Sequence, residues 1–283
     1  MAGSRRKGAD RPGAPRPGRP ARIALLLLVL VGGAALAAWL VWRSLPDPAP
    51  LAKKPPTTTA LIEQRREEAA ALGKPFRPDY RPVSLDRISP RLVRAVVASE
   101  DASFFGHAGF DWDEIKNAAE QNWKAGRTVR GASTLTQQLA KNLWLGTERS
   151  YLRKVREALL AVKLERTLPK RRILALYLNV AEWGNGVFGA EAAAQRWFHV
   201  SARDLSAAQA AVLAGMLPAP RKAALAPAPR WLARKSRRIL ALLERNGTVP
   251  AAEAPAARAE LERLLAAPPA LPSDADEEPP EEG

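Results

Sequence analysis

The feature that most limits what this chain can become is Ile23–Trp42, IALLLLVLVGGAALAAWLVW, twenty residues without a charge. As a helix, that length spans the roughly 30 Å hydrocarbon core of a bilayer. A cleaved signal peptide is the rival reading, but its apolar region is normally about 7–15 residues long. Trp39 and Trp42 stand where an interfacial aromatic belt belongs. Arg5, Arg6, Lys7, Arg11, Arg16, Arg19 and Arg22 precede the span, and only Arg43 follows it closely. The positive-inside rule therefore predicts a cytoplasmic N-terminus and a body on the other side of the membrane. The net charge is +15 over 283 residues, which favours an anionic partner. Export points that charge toward phospholipid or a phosphate-bearing substrate and away from nucleic acid. With no cysteine, disulfides, thiolate metal sites and cysteine nucleophiles are excluded.

Five regions follow from composition. Residues 1–22 are a basic tail with almost nothing to bury, and 23–42 are the transmembrane helix. Residues 43–79 are rich in proline and read as a stiff linker, with a short helix over Leu61–Leu72. A folded body occupies 80–247. Residues 248–283 hold an exposed helix over 250–266 and an acidic tail. The body reads as mostly α. Pro90 suits the first turn of a helix over Arg91–Glu100. Asp111 with Glu114, Thr134 with Gln137, and Ser206 with Gln209 have capping-box spacing, opening helices to Gly126, Leu145 and Leu217. Further helices are expected over Tyr151–Thr167, Lys170–Val180, Ala190–Phe198 and Arg230–Asn246. No run of alternating β-branched residues predicts a sheet.

Four stretches carry polar residues where a helix would spend apolar ones. In the first, the apolar run Leu92–Ala98 ends on Glu100 and Asp101, followed by Phe104, Phe105, His107, Gly109 and Phe110. A carboxylate beside apolar surface is costly to ionise and is the kind of group acid–base chemistry uses. A helix end with solvated acids is the plain alternative. In the second, Ser133 and Thr134 bring hydroxyls and amides to a helix N-terminus, where an anion can sit, and Gln137, Gln138, Lys141 and Asn142 follow. An amphipathic helix with ordinary caps is its alternative.

In the third, Leu152, Val155, Leu159 and Val162, with Leu160 and Leu164, form a core-facing stripe. Arg149, Arg153, Lys154 and Arg156 crowd the helix's N-terminal end, against its dipole, with Glu157 among them. This is either surface charge with an Arg153–Glu157 i,i+4 pair or a diphosphate pocket holding one carboxylate. In the fourth, Asn179, Glu182 and Gly184–Gly189 form a loop that packs closely against something, or a plain helix connection.

Together these residues resemble a known family. Glu100-Asp101 with Phe104, His107 and Gly109 matches its motif E-D-x-x-F-x-x-H-x-G. Gly131–Asn142, Arg153-Lys154-x-x-Glu157, Tyr177-Leu178-Asn179 with the glycine loop, and Ala211–Pro220 match the next four in order. The chain is similar to the peptidoglycan glycosyltransferases, the lipid II polymerases of the bacterial cell wall, over residues 80–225. Ala132 and Trp183 are mild departures from the pattern. The only S-x-x-K match, Ser4–Lys7, precedes the membrane span and no K-T-G follows, so a monofunctional enzyme without a transpeptidase domain is expected.

The resemblance implies a lysozyme-like helical domain that joins the growing, lipid-diphosphate-linked strand to the 4-hydroxyl of an incoming lipid II with inversion. It makes Glu100 the general base and Glu157 the second catalytic carboxylate, acting as proton donor, metal ligand or orienter of cations. Asp101, Phe104, His107, Gly109, Ser133, Thr134, Gln137, Gln138, Lys141, Asn142, Arg149, Arg153, Lys154 and Asn179 become the substrate-binding set, with Lys141, Arg149 and Lys154 neutralising the departing diphosphate. Within that set, Asp101 is expected to prop the helix end, and a structural role for His107 stays open. No cofactor is firmly implied, and a divalent cation (Mg or Mn) at the diphosphate stays open. The implied partners are lipid II, the growing strand and the membrane, with other cell wall synthesis or division proteins as candidates, at the bacterial inner membrane. Two rivals remain. A muramidase would also use paired carboxylates, but has no need of the cations. A membrane adaptor would explain the charge and the anchor but leaves Glu100, Ser133–Asn142 and Glu157 without a reason.

Overall fold

The structure, a computed structural model, describes residues 19–127, 131–146, 150–223 and 228–266, with side chains from residue 26 onward. Arg149, most of the basic tail and the acidic tail lie outside them. The chain divides into two units, ending and beginning at Leu45 and Pro46. The first is helix α1 (Arg19–Ser44). Its stretch Leu26–Ser44 has a mean hydropathy of 2.0 and is long and apolar enough to cross a membrane. The Arg43 guanidinium lies 5.6 Å from the centre of the Trp39 ring, a cation–π contact at one end of the apolar stretch.

The second unit is mostly α, as expected, and starts earlier than Tyr80. Helix α2 (Ala60–Ala71) is capped by Thr59 and buries Leu61 and Ile62 against Phe188, Phe76 and Tyr80. Residues 60–71 are thus part of the body and not of a linker. Arg65 fixes α2 by forking onto buried Glu182, at 2.9 and 3.0 Å. The elements that follow are β1 (Asp79–Tyr80), α3 (Pro90–Glu100), α4 (Trp112–Ala125), α5 (Leu135–Trp144), α6 (Tyr151–Thr167) and α7 (Lys170–Val180). Then come β2 (Glu182–Gly184), β3 (Val187–Phe188), α8 (Ala190–Phe198), α9 (Ala207–Met216), α10 (Pro220–Ala223), α11 (Arg230–Arg245) and α12 (Ala254–Ala266).

A sheet exists that the sequence pattern did not predict. Its strand order is β1-β3-β2, with β3 parallel to β1 and antiparallel to β2. Strands of two or three residues carry no periodicity to read. Gly189, with φ +89, follows β3, and a Cβ there would lie 2.6 Å from the Asn179 carbonyl oxygen. Only glycine lets the chain come that close.

Helix α9 is the centre of the core. Nine of its residues are buried, six of them Ala or Gly, and α3, α11 and α12 pack around it. A Cβ on Gly215 would meet the Ser236 hydroxyl of α11 at 2.8 Å, so small residues set this spacing. Helix α12 was expected to be exposed. It instead buries Ala254, Ala257, Leu261 and Leu265 and extends the body past residue 247. Helix α6 is turned only in part from the expected orientation: Leu160 and Leu164 of the expected stripe are buried, and Leu159 and Val162 are half-buried. Leu152 and Val155 are 64% and 56% exposed, and the buried face is Glu157, Leu160, Ala161 and Leu164.

Candidate active site

The site forms where α3 ends against the start of α5. Glu100 is the last residue of α3, and its side chain is 12% exposed at the wall of a cavity of about 850 Å³. Lys235 of α11 reaches one carboxylate oxygen at 2.7 Å. The amide Nε2 of Gln138 donates to the other at 3.3 Å. Each oxygen keeps a further lone pair, so Glu100 can still accept a proton from a group in the cavity.

Asp101, one residue on, is used inward. One of its oxygens accepts the Leu135 amide at the first turn of α5, at 2.9 Å. His107 Nε2 lies 3.0 and 3.2 Å from the two oxygens, and His107 Nδ1 accepts the Gly109 amide at 3.1 Å. Those two bonds fix the tautomer: Nε2 carries the hydrogen and donates to Asp101. A carboxylate at the N-terminus of α5 also meets the positive end of the helix dipole. Asp101 therefore holds two helix ends together while Glu100 faces the cavity.

Thr134 caps α5 in a full capping box with Gln137, and its hydroxyl donates to the Gly109 carbonyl at 2.8 Å. The amides of Leu135 and Gln137 are thus occupied within the framework. Ser133 is exposed on the cavity wall and accepts from Lys154 at 3.0 Å.

The second carboxylate, Glu157, is 3% exposed. One oxygen is held by Arg153 at 2.7 Å and the other by Lys154. Lys141 projects from α5 near the same group. Burial pushes its pKa below the ordinary lysine value. Glu157 pulls it up, Arg153 and Lys154 push it down, and Glu100 pulls it up. Lys141 thus lies within electrostatic reach of both carboxylates. Three cations around one acid leave this region at +2, a place for an anion of about that charge.

The family model for transglycosylases matches residues 68–244, well over half of the chain. This chain belongs to the transglycosylase family. A biosynthetic peptidoglycan transglycosylase of Methylobacillus flagellatus is 55% identical over 168 residues, covering 59% of this chain and 73% of that protein. One of Dechloromonas aromatica is 51% identical over 173 residues, covering 61% and 72%. One of Laribacter hongkongensis is 58% identical over 142 residues, covering 50% and 62%.

Within this transglycosylase, the described residues singled out from sequence divide into three groups. Glu100, Asp101, Ser133 and Thr134 line the cavity, and Lys141, Arg153, Lys154 and Glu157 form the charged cluster. The others are built into the framework. Phe104 is fully buried with Lys170 4.3 Å above its ring, and His107 and Gln137 serve Asp101 and Thr134. Gly109 has φ +96, where a Cβ would press on Glu165. Asn142 is buried. Asn179, expected to bind substrate, spends its side chain on backbone: Nδ2 donates to the carbonyls of Ala175 and Val83, and Oδ1 accepts the Val83 amide. Sequence reasoning missed the part of the wall that α11 supplies: Trp231, Arg234, Lys235 and Arg238 line the same cavity as Glu100, and Lys235 touches it. The signal was present, since α11 carries six Lys/Arg in 16 residues.

Among the described residues no group of three or more Asp, Glu or His side chains is placed to hold a metal ion by itself, and both oxygens of Glu157 serve cations.

Proposed function

We propose that this transglycosylase polymerises lipid II into linear glycan strands, with the roles set as follows. Glu100 takes the proton from the 4-hydroxyl of the incoming lipid II. The freed oxygen attacks the anomeric carbon of the growing strand, and the lipid diphosphate leaves from the opposite face. Lys141, Arg153 and Lys154 meet the charge that develops on the diphosphate, which is catalysis by fixed, pre-placed cations. Glu157 keeps two of those cations aimed, which leaves it neither a free proton donor nor a metal ligand. Helix α1 anchors the enzyme in the inner membrane, with its N-terminus cytoplasmic and the body outside, as the charge ahead of it favours.

One observation carries this reading: a carboxylate on a cavity wall and a cluster of net charge +2 around a second, buried carboxylate, with Lys141 coupled to both. A muramidase has no diphosphate to neutralise and no use for that cluster. Labelled lipid II given to the purified full-length protein should yield long strands. The Glu100→Gln variant should yield at least ~100-fold less, the scale of a lost general base, with lipid II affinity within about twofold. Wild-type output from that variant would remove Glu100 from the role. Release of small fragments from finished glycan would favour the muramidase.

A further inference from the structure

Tyr177 lies on α7, fully enclosed at 1% exposure, and it is not among the residues that line the cavity. Its hydroxyl donates to the Gln138 carbonyl oxygen at 2.9 Å. The nitrogen of that same amide is the donor to Glu100 at 3.3 Å. The two ends of a glutamine amide have the same shape and differ only in whether they donate or accept. Turned over, Gln138 would set its oxygen against the Glu100 oxygen, lone pair to lone pair. On the Tyr177 side, a fixed donor rewards one orientation. Burial, reinforced by the negative charge of Glu100, pushes the Tyr177 phenol far above its ordinary value, so the hydroxyl keeps its proton wherever the enzyme works.

We propose that Tyr177 is a positioning residue for glycosyl transfer: it locks the Gln138 amide with its nitrogen toward Glu100 and so holds that carboxylate at the angle from which it meets the acceptor hydroxyl. Lys235 alone, on the other oxygen, leaves the carboxylate free to swing about a single contact. Two contacts from two helices, α5 and α11, fix its plane. The proposal rests on the reading of Glu100 as the base.

The test is a double-mutant cycle on the full-length protein with labelled lipid II, reading kcat, KM and thermal midpoint. Tyr177→Phe keeps the ring and removes only the donor. Its kcat should fall about fivefold, the scale of one intramolecular hydrogen bond, with KM within about twofold of wild type. In a Gln138→Ala background the same change should have almost no further effect on kcat, because Tyr177 then has nothing to orient. A Tyr177 that merely packs the core would lower the midpoint by the same amount in both backgrounds and leave no coupling in kcat. An unchanged kcat in Tyr177→Phe, or a fivefold loss repeated in the Gln138→Ala background, overturns the proposal. The Glu100→Gln variant is run alongside: if it polymerises normally, the reading of Glu100 has failed and the cycle's coupling belongs to another group.

Discussion

Glu157→Gln separates the two things a buried carboxylate can do in this site. In the wild type its oxygens hold Arg153 at 2.7 Å and Lys154, whose side chains are 18% and 47% exposed. Taking Lys141, Arg153 and Lys154 against Glu157, the cluster goes from +2 to +3 on substitution. Removing one partner of a buried pair costs roughly 3–5 kcal/mol, because the remaining charge stays without compensation. Lys154 can turn to water, so its share is small, and the loss should fall near ~3 kcal/mol, almost all from Arg153. For a unit of this size each kcal/mol moves the thermal midpoint by roughly 2–4 °C, which gives a drop of about 6–12 °C. Inorganic pyrophosphate supplies the missing negative charge. At about a hundredfold above its dissociation constant it should return ~2.7 kcal/mol, and the variant should gain more than the wild type. The assay is thermal unfolding of the detergent-solubilised protein, with and without pyrophosphate, beside turnover at a temperature where both proteins are folded. Turnover should fall at that temperature, because two of the cations meant for the leaving group are no longer aimed. A midpoint within about 2 °C of wild type, or an equal pyrophosphate shift in both proteins, would refute the assignment of Glu157 as the organiser of these cations.

Lys141→Met should have the opposite sign in stability. Burial holds the Lys141 pKa below the ordinary 10.5, so between the folded and unfolded values the unfolded chain binds the extra proton. Wild-type stability therefore rises with pH in the window just under 10.5 and lies on its lower plateau at neutral pH. The variant should match or exceed the wild-type midpoint at pH 7, lose that alkaline rise, and lose donor affinity and turnover together. A lower midpoint at pH 7 would contradict it. Asp101→Asn should cost about 2 kcal/mol by weakening the bonds to the Leu135 amide and His107, while KM for lipid II stays put. A raised KM with unchanged stability would make Asp101 a substrate contact.

The two halves of this site were unequally legible, and the reasons are physical. Local rules read the framework well: Thr134–Gln137 and Ser206–Gln209 form full capping boxes, because a cap is settled within four residues. Helix α6 shows where local rules stop. It carries two faces at helical spacing, Leu152–Val155–Leu159–Val162 and Glu157–Leu160–Ala161–Leu164. The expected stripe joins the first face to Leu160 and Leu164 of the second, and the structure buries the second, Glu157 included. Glu157 can go inside because Arg153 and Lys154, one turn back on α6, meet it, and because α5 lies against α6 and brings Lys141 near it. Helix α2 is the same case over a longer distance. Its polar residues suit a linker until Glu182, 117 positions away, supplies the acid that Arg65 needs. Lys235 is the extreme. Nothing near it in sequence singles it out from the other five cations of α11, and only the packing of α11 on α3 turns it toward Glu100. The apolar run before Glu100 thus marks it as a candidate base, with a solvated helix end as the alternative. The groups that aim it, Lys235 and Tyr177 through Gln138, come from helices whose approach is fixed by the small residues of α9 and the buried face of α7. A carboxylate at the end of a helix becomes a base in a defined place only once those distant surfaces have closed around it.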